Sequence, residues 1–385
     1  MKRFAWLLLL FAGYSGMATA QVYMPPAKGK TRLALFNDNF FYDKEYSNLI
    51  ADGYTLAGHR FLLAYRIPID SSWFVQAGTD AWQFWGNNSR VQARFHFALI
   101  YTRGHHKVII GQPDNRDNHR LFRPLYDEEY HFLPGRTETG IQYLWQNPKH
   151  RLETWLDWHR FIRKGDTLRE RLNWGLSADI RMAETGPWQW HLPVQVLIHH
   201  RGGQINLKGS YLAGKNNILS VLSTATGLQV RRQVNAVSDV EFSALYFTHS
   251  MNSNNPEELG FGRGHAFWAR IDWFTAHWNI NLSYWDARHF SSPLGEAIFQ
   301  TASRRVDKYY ENGQVMPIFS RHREPHRMLW STALRYHTHF SKHLAFRAKL
   351  EMFYQPYRSS VPYPFIREVV NHTDLLLSAR IIWRI

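Results

Sequence analysis

ARIDWFTAHWNINLSYWDARHF, residues 269–290, divides by parity into two chemically opposed faces around a tight connection. One face carries Ala269, Ile271 and Trp273, then Trp278, Ile280, Leu282 and Tyr284. The other carries Arg270 and Asp272, then His277, Asn279, Asn281 and Ser283, with Trp285 breaking the polar run. Alternation of period two predicts two strands, each lying between two different environments.

The pattern recurs along the chain. In RVQARFHFALIYTR, Val91, Ala93, Phe95, Phe97, Leu99 and Tyr101 oppose Gln92, Arg94 and His96. In ERLNWGLSADIRMA, Leu172, Trp174, Leu176 and Ile180 oppose Arg171, Asn173, Ser177, Asp179 and Arg181. Half-apolar segments of about 9 to 13 residues have the length that crosses an outer membrane at a tilt. Connections alternate in length. Seven short ones, at 68–72, 103–106, 147–149, 184–187, 232–238, 275–277 and 341–343, alternate with eight others that are mostly longer. This predicts an all-β fold: an antiparallel, up-and-down transmembrane β-barrel of about sixteen strands, both ends on the periplasmic side.

The first twenty residues combine Lys2 and Arg3, an apolar stretch from Phe4 to Ala12 and an Ala18-Thr19-Ala20 ending, the pattern of a secretory signal peptide. Residues 21–385 then form one barrel domain, since no Pro/Gly/Ser-rich or highly charged stretch marks a boundary. No apolar run beyond the leader approaches a membrane-spanning helix, and mean hydropathy is −0.43. Cysteine is absent, so stability must come from backbone pairing, burial or lipid. The 16 Trp suit a membrane interface, and Tyr65, Trp73, Tyr143, Trp145, Trp188, Trp190, Trp273 and Trp278 all lie near the short turns.

In this architecture Ile271, Trp273, Trp278 and Ile280 are expected to face lipid, and the opposite parity to line the lumen. On lumen parity fall Arg60, Arg66, Arg94, Arg171, Arg181, Arg270, Arg335, Arg347, Arg380 and Arg384. Arginines lining a pore raise local anion concentration, and the net charge of +15 agrees. Asp80, Glu153, Asp157, Asp179, Asp239, Asp272 and Glu351 on the same parity could neutralise many of them.

The layout of leader, sixteen alternating segments and terminal strand resembles Gram-negative outer-membrane β-barrels of porin type, over essentially all of the chain after the leader. The chain ends on Ile385, with Trp383 two before it, where such barrels often end in an aromatic. In general porins the third external loop folds inward. The loop in that place, residues 111–135, lacks their PEFGG-type motif but is long and charged. The resemblance implies a constriction loop bearing Asp114, Arg116, Asp117, Arg120, Arg123, Asp127, Glu128 and Glu129.

The expected function is therefore a passive outer-membrane channel for small hydrophilic solutes, anions favoured, with no enzyme activity, cofactor or metal. Expected partners are outer-membrane lipid, the solutes and the barrel-assembly machinery during biogenesis, with a homo-oligomer left open. Nucleic acid is excluded, because the aromatics sit on the apolar parity and not among the cations. The alternative is a non-conducting barrel serving a surface complex, secretion or assembly, which a lumen filled by Trp155, Trp268 and Trp285 would favour. A barrel hydrolase stays open too, since sites built from separated strands leave no motif such as G-x-S-x-G. A secreted β-propeller or sandwich is the third class, and the alternating connections argue against it.

Overall fold

The computed structural model describes residues 29–86, 91–163, 166, 168–203, 218–254, 260–303, 306–311, 314–319, 322–361 and 367–384. The leader assigned to residues 1–20 lies outside them. No described helix is long and apolar enough to cross a membrane.

Among the described residues, eighteen strands follow one another in chain order. The first nine are β1 (Arg32–Glu45), β2 (Tyr54–Pro68), β3 (Trp73–Phe84), β4 (Gln92–Arg103), β5 (His106–Gly111), β6 (Gly140–Gln146), β7 (His150–Arg160), β8 (Glu170–Thr185) and β9 (Trp188–Gly202). Next come β10 (Leu219–Asn235), β11 (Ser238–Ser253), β12 (Arg263–Phe274), β13 (Trp278–Arg288), β14 (Val306–Glu311), β15 (Gln314–Phe319), β16 (His326–His339), β17 (Leu344–Val361) and β18 (Arg367–Arg384). Sixteen of them form one closed barrel in which sequence neighbours pair antiparallel, and β14 and β15 make a separate hairpin between β13 and β16. β1 closes the ring against β18 in the register Asn39↔Ile381. Closure leaves no edge, which backbone polar groups inside a bilayer require.

Residues 269–290 form β12, a turn and β13, with Ile271 opposite Leu282 and Trp273 opposite Ile280. Ile271 is 44% and Leu282 51% exposed, whereas Asp272 on the other parity is 1% exposed. The outer face is thus an apolar belt, and the polar parity points into the barrel. Aromatics near the short turns pack in cross-strand pairs, Trp73 on Tyr101 at 5.0 Å and Trp278 on Tyr336 at 4.7 Å between ring centroids. A closed barrel with an outward apolar belt and an aromatic girdle is an outer-membrane protein.

The lumen is filled. At Gly111, φ is +118°, and an added Cβ would lie 2.4 Å from the Phe97 carbonyl oxygen. Only glycine tolerates that geometry, and there the chain leaves the wall and turns inward. The segment from 112 to 139 then crosses the barrel. Near one wall, the Phe122 N–H donates to Gln195 on β9 at 2.8 Å. Near the other, Phe132 packs on Phe40 of β1, ring centroids 4.3 Å apart. β1 and β9 stand opposite each other in the ring. A second inward segment, 289–303, buries Phe290, Ile298 and Phe299 against Trp268 and Trp285. Arg327 ties it down, donating to the carbonyls of Ile298 at 2.7 Å and Gln300 at 2.8 Å.

A water-filled lumen for passive diffusion is therefore corrected. The expected constriction loop does more than narrow the barrel, because its apolar residues Leu121, Leu125, Tyr126 and Phe132 form a core with the inward wall residues.

Candidate functional site

The inward arginines are mostly engaged with carboxylates and amides. Arg60 holds Asp80 at 2.6 Å and the His131 carbonyl at 2.8 Å. Arg380 holds Asp38, Arg270 reaches Asp272 at 3.0 Å and Arg181 reaches Glu184 at 2.9 Å. Arg66 donates to Gln76 at 3.0 Å and Arg335 to Asn279 at 2.7 Å. Arg171 lies near the upper end of β8, Arg347 and Arg384 lie toward the periplasmic mouth, and Arg94 is exposed near the upper end of β4.

The crossing segment is fixed by charge as well as by its apolar core. Arg123 donates to Glu296 at 2.6 Å and to Glu351 at 2.7 Å, joining both inward segments to β17. Lys44 pairs with Glu129 at 2.9 Å, Lys349 with Glu128 and Arg116 with Asp114 at 2.6 Å. Arg120 lies 3.7 Å from Asp117, and the Asp127 carboxylate accepts the Glu129 N–H at 3.0 Å. Bidentate and multiply bonded pairs of this kind hold a segment in one place.

His119 lies at the centre of that segment, fully buried. Asn118, His119 and Arg120 all have positive φ, 55°, 50° and 57°, a conformation costing about 1–2 kcal/mol per residue. What offsets it is visible: the His119 ring lies 2.7 Å from Glu138 and 2.7 Å from Glu153, and stacks on Trp155 at 4.2 Å. Burial alone would lower the imidazole pKa, but the two carboxylates outweigh it and push it up to about 10. The ring is a cationic pin, not a base. Its folded pKa exceeds the unfolded value of about 6.5, so its contribution is complete below about pH 6.5. It is lost as pH rises through about 10. Urea unfolding of the detergent-folded protein should show this loss. His119→Gln should cost about 3–5 kcal/mol, leaving two buried carboxylates short of a counter-charge, and should flatten the pH dependence.

The outer wall offers a different chemistry. On β1 the outward parity runs Leu35, Asn37, Asn39 and Phe41, and on β2 it runs Ala57, His59 and Phe61. Asn39 stands directly opposite His59, and His59 directly opposite Gln83 on β3. An amide, an imidazole and a second amide thus form a row across three strands on a face that is otherwise apolar. The His59 Nε2 is 2.9 Å from Gln83 Oε1, and the Trp85 indole N–H donates to Nδ1 at 3.3 Å. These contacts set the tautomer with the proton on Nε2. The Asn39 Nδ2 donates to Asn37 Oδ1 at 2.7 Å. Further up, the Thr55 hydroxyl donates to Asp43 at 2.7 Å.

The row's height follows from the strand. Gln83 lies ten positions above Trp73 of the periplasmic girdle. At about 3.3 Å per residue and a tilt of about 40°, that is about 25 Å, the height of a barrel's apolar band. The row therefore lies at the outer-leaflet boundary between acyl chains and headgroups.

Asn37, Asn39, His59 and Gln83 were not singled out from sequence. The available signal was parity, since placing Arg60 inward places His59 outward, a polar residue on the lipid face. Among the described residues, no three His, Asp or Glu groups converge as a metal site.

A family model described as lipid A 3'-O-deacylase-type matches residues 23–379. No curated protein matches the chain. Solved structures similar to it include a loop-deletion mutant of OmpT, an outer membrane protein of Vibrio cholerae, at 10% identity, covering 92% of this chain and 99% of that one, TM-score 0.49. OprD of Pseudomonas aeruginosa is 10% identical, covering 92% and 94%, TM-score 0.48. An anion-selective porin of Comamonas acidovorans is also 10% identical, covering 92% and 100%, TM-score 0.47. The family match overturns two expectations drawn from sequence, a passive anion channel and the absence of enzyme activity, and favours the barrel hydrolase that reading had ranked lower. With the match running over nearly the whole barrel, the chain belongs to the lipid A 3'-O-deacylase-type family.

Proposed function

We propose that this protein is an outer-membrane hydrolase that cleaves an acyl ester of a lipid A-type glycolipid at the outward row on β1–β3. The observation that carries the reading is the height and aspect of that row: an oriented imidazole facing lipid, flanked by amides, at the level where the ester bonds of an outer-leaflet glycolipid lie. The lumenal His119 does not meet the need, being buried, cationic and clamped.

The chemistry assigned to each residue follows from its contacts. Gln83 accepts the His59 Nε2 proton and fixes the ring, leaving Nδ1 as the base. A water replacing the long Trp85 contact gives its proton to Nδ1 and adds to the ester carbonyl carbon. Asn39 and Asn37, whose side chains are already coupled, present amide N–H groups to the oxyanion that develops. Collapse breaks the bond to the sugar oxygen, which takes the proton back from His59. The products are a free fatty acid and a sugar hydroxyl. Acyl chains of the bound lipid lie along the belt formed by Phe61, Leu63, Phe95 and Phe97, all on the outward face below the row.

The test is mass spectrometry of lipid A from outer membranes with and without the protein. Loss of the mass of one ester-linked acyl chain, with the matching fatty acid released, is expected. Unchanged lipid A from membranes that hold the folded barrel would overturn the reading.

A further inference from the structure

Below the crossing segment, toward the periplasmic mouth, lies a cavity of about 80 Å³ that the deacylation chemistry does not use. By the same measure one water needs about 10–15 Å³, so the space exceeds what a single solvent molecule fills. Five cations line it: Lys107 from β5, Arg116 and Arg120 from the crossing segment, Arg347 from β17 and Arg380 from β18. The lining carboxylates are Asp114 and Asp117.

The cations are not merely near one another. Arg347 and Arg380 are directly opposed across β17 and β18, on the inward parity, an arrangement of like charges that is unfavourable without a counter-ion. Asp38, which is not part of the lining, pairs with Arg380. Asp114 takes Arg116 through Nε and Nη2, while the buried Arg116 Nη1 has no partner. Arg120 lies 3.7 Å from Asp117 and 3.9 Å from Glu153, at the outer limit of pairing. No carboxylate within salt-bridge distance of Arg347 is found among the described residues. The floor is apolar, made by Phe36, Ile109, Leu144 and Ile382, which strengthens any charge interaction above it.

We propose that this cavity is a binding site for a tetrahedral oxyanion of the phosphate class, reached from the periplasmic side. Guanidinium forks match such an anion bidentately, and Arg116 and Arg347 have donors to give. A phosphoryl group bridging β17, β18, β5 and the crossing segment would cross-link the plug to the wall. This is binding beneath the crossing segment, not passage through the barrel, and it stands independently of the deacylase reading.

The experiment is isothermal titration of the detergent-folded full chain with inorganic phosphate at constant ionic strength, alongside the urea midpoint. Saturable heat and a phosphate-dependent rise in the midpoint are expected. In Arg347→Gln, and separately in Lys107→Gln, affinity should fall tenfold or more; folding of both is checked by heat-modified gel mobility. Glycerol 3-phosphate in a parallel arm separates the sources. Binding as tight as phosphate identifies a phosphoryl group carried on a larger molecule, and much weaker binding identifies the free ion. No heat with the wild-type protein, or affinity equal to wild type in both folded variants, overturns the proposal.

Discussion

Wild-type protein inserted into a planar bilayer is expected to give no sustained conductance steps. The lumen holds two inward segments, and the first spans from β9 to β1, opposite walls of the ring. Its anchor points are distributed around the barrel: Arg60 at the His131 carbonyl, Gln195 at Phe122, and Glu296 and Glu351 at Arg123. Opening a water path would mean separating buried ion pairs, each costing several kcal/mol. A deletion of residues 115–136 should convert the silent barrel to a conducting one, with its folding checked by heat-modified gel mobility. Reproducible steps from the intact wild-type protein would show that the lumen is open and that the plug is not what fills it.

Replacing His59 by Ala is expected to lower kcat for acyl release by about 10² to 10⁴-fold, the usual contribution of a positioned general base. Stability should change little, because the side chain lies on the outer face and is not part of the inward cores. Asn39→Ala should cost about 10² to 10³-fold in kcat, as loss of one oxyanion donor does. Gln83 acts through His59 and is a positioning residue. Gln83→Leu should therefore lower kcat more than it raises KM and should change the pH profile, whereas Gln83→Glu, which keeps an acceptor for the Nε2 proton, should restore much of the rate. A structural role alone for Gln83 would leave the pH profile unmoved.

The fold was legible because a barrel wall repeats one simple rule. In residues 269–290, and in the strands around Phe95 and Trp174, every second side chain meets lipid, and that period survives any uncertainty about where a strand ends. β10 runs on to Asn235, so its turn is shorter than the 232–238 connection read from sequence. Such shifts leave parity intact. The filling of the lumen was not legible, because its determinants are non-local: Arg123 finds Glu296 and Glu351 across the barrel, at separations of 173 and 228 residues. Nothing in the local sequence of 111–135 says whether its charges face water or one another.

The site failed to stand out for a different reason. Charge drew attention to the inward parity, where Arg60 and Arg380 are counter-ions to Asp80 and Asp38. The residues proposed for the chemistry, two asparagines and a histidine, lie one position away, on the face expected to be apolar. Asn37 and Asn39 flank Asp38, and His59 precedes Arg60. In a barrel, a run of polar exceptions on the lipid parity is the more informative signal, since a lumen can be polar for solvation alone and a lipid face cannot.

A histidine lies on each side of this wall, His59 on its outer face and His131 in the crossing segment against Arg60 of β2, and this permits the most direct test. His131 is buried on the lumen side beside Arg60, with neither ring nitrogen hydrogen-bonded. Burial, with Arg380 and Arg60 beside it, keeps its pKa well below the ordinary histidine value. It could thus act as a neutral base if the chemistry were lumenal. The measurement is the rate of fatty acid release from lipid A by detergent-folded His59→Ala and His131→Ala, side by side with wild type. The account predicts that His59→Ala loses at least a hundredfold and that folded His131→Ala keeps its rate within a few fold. Loss of activity in folded His131→Ala, with His59→Ala unimpaired, would put the reaction inside the barrel and contradict the lipid-facing site.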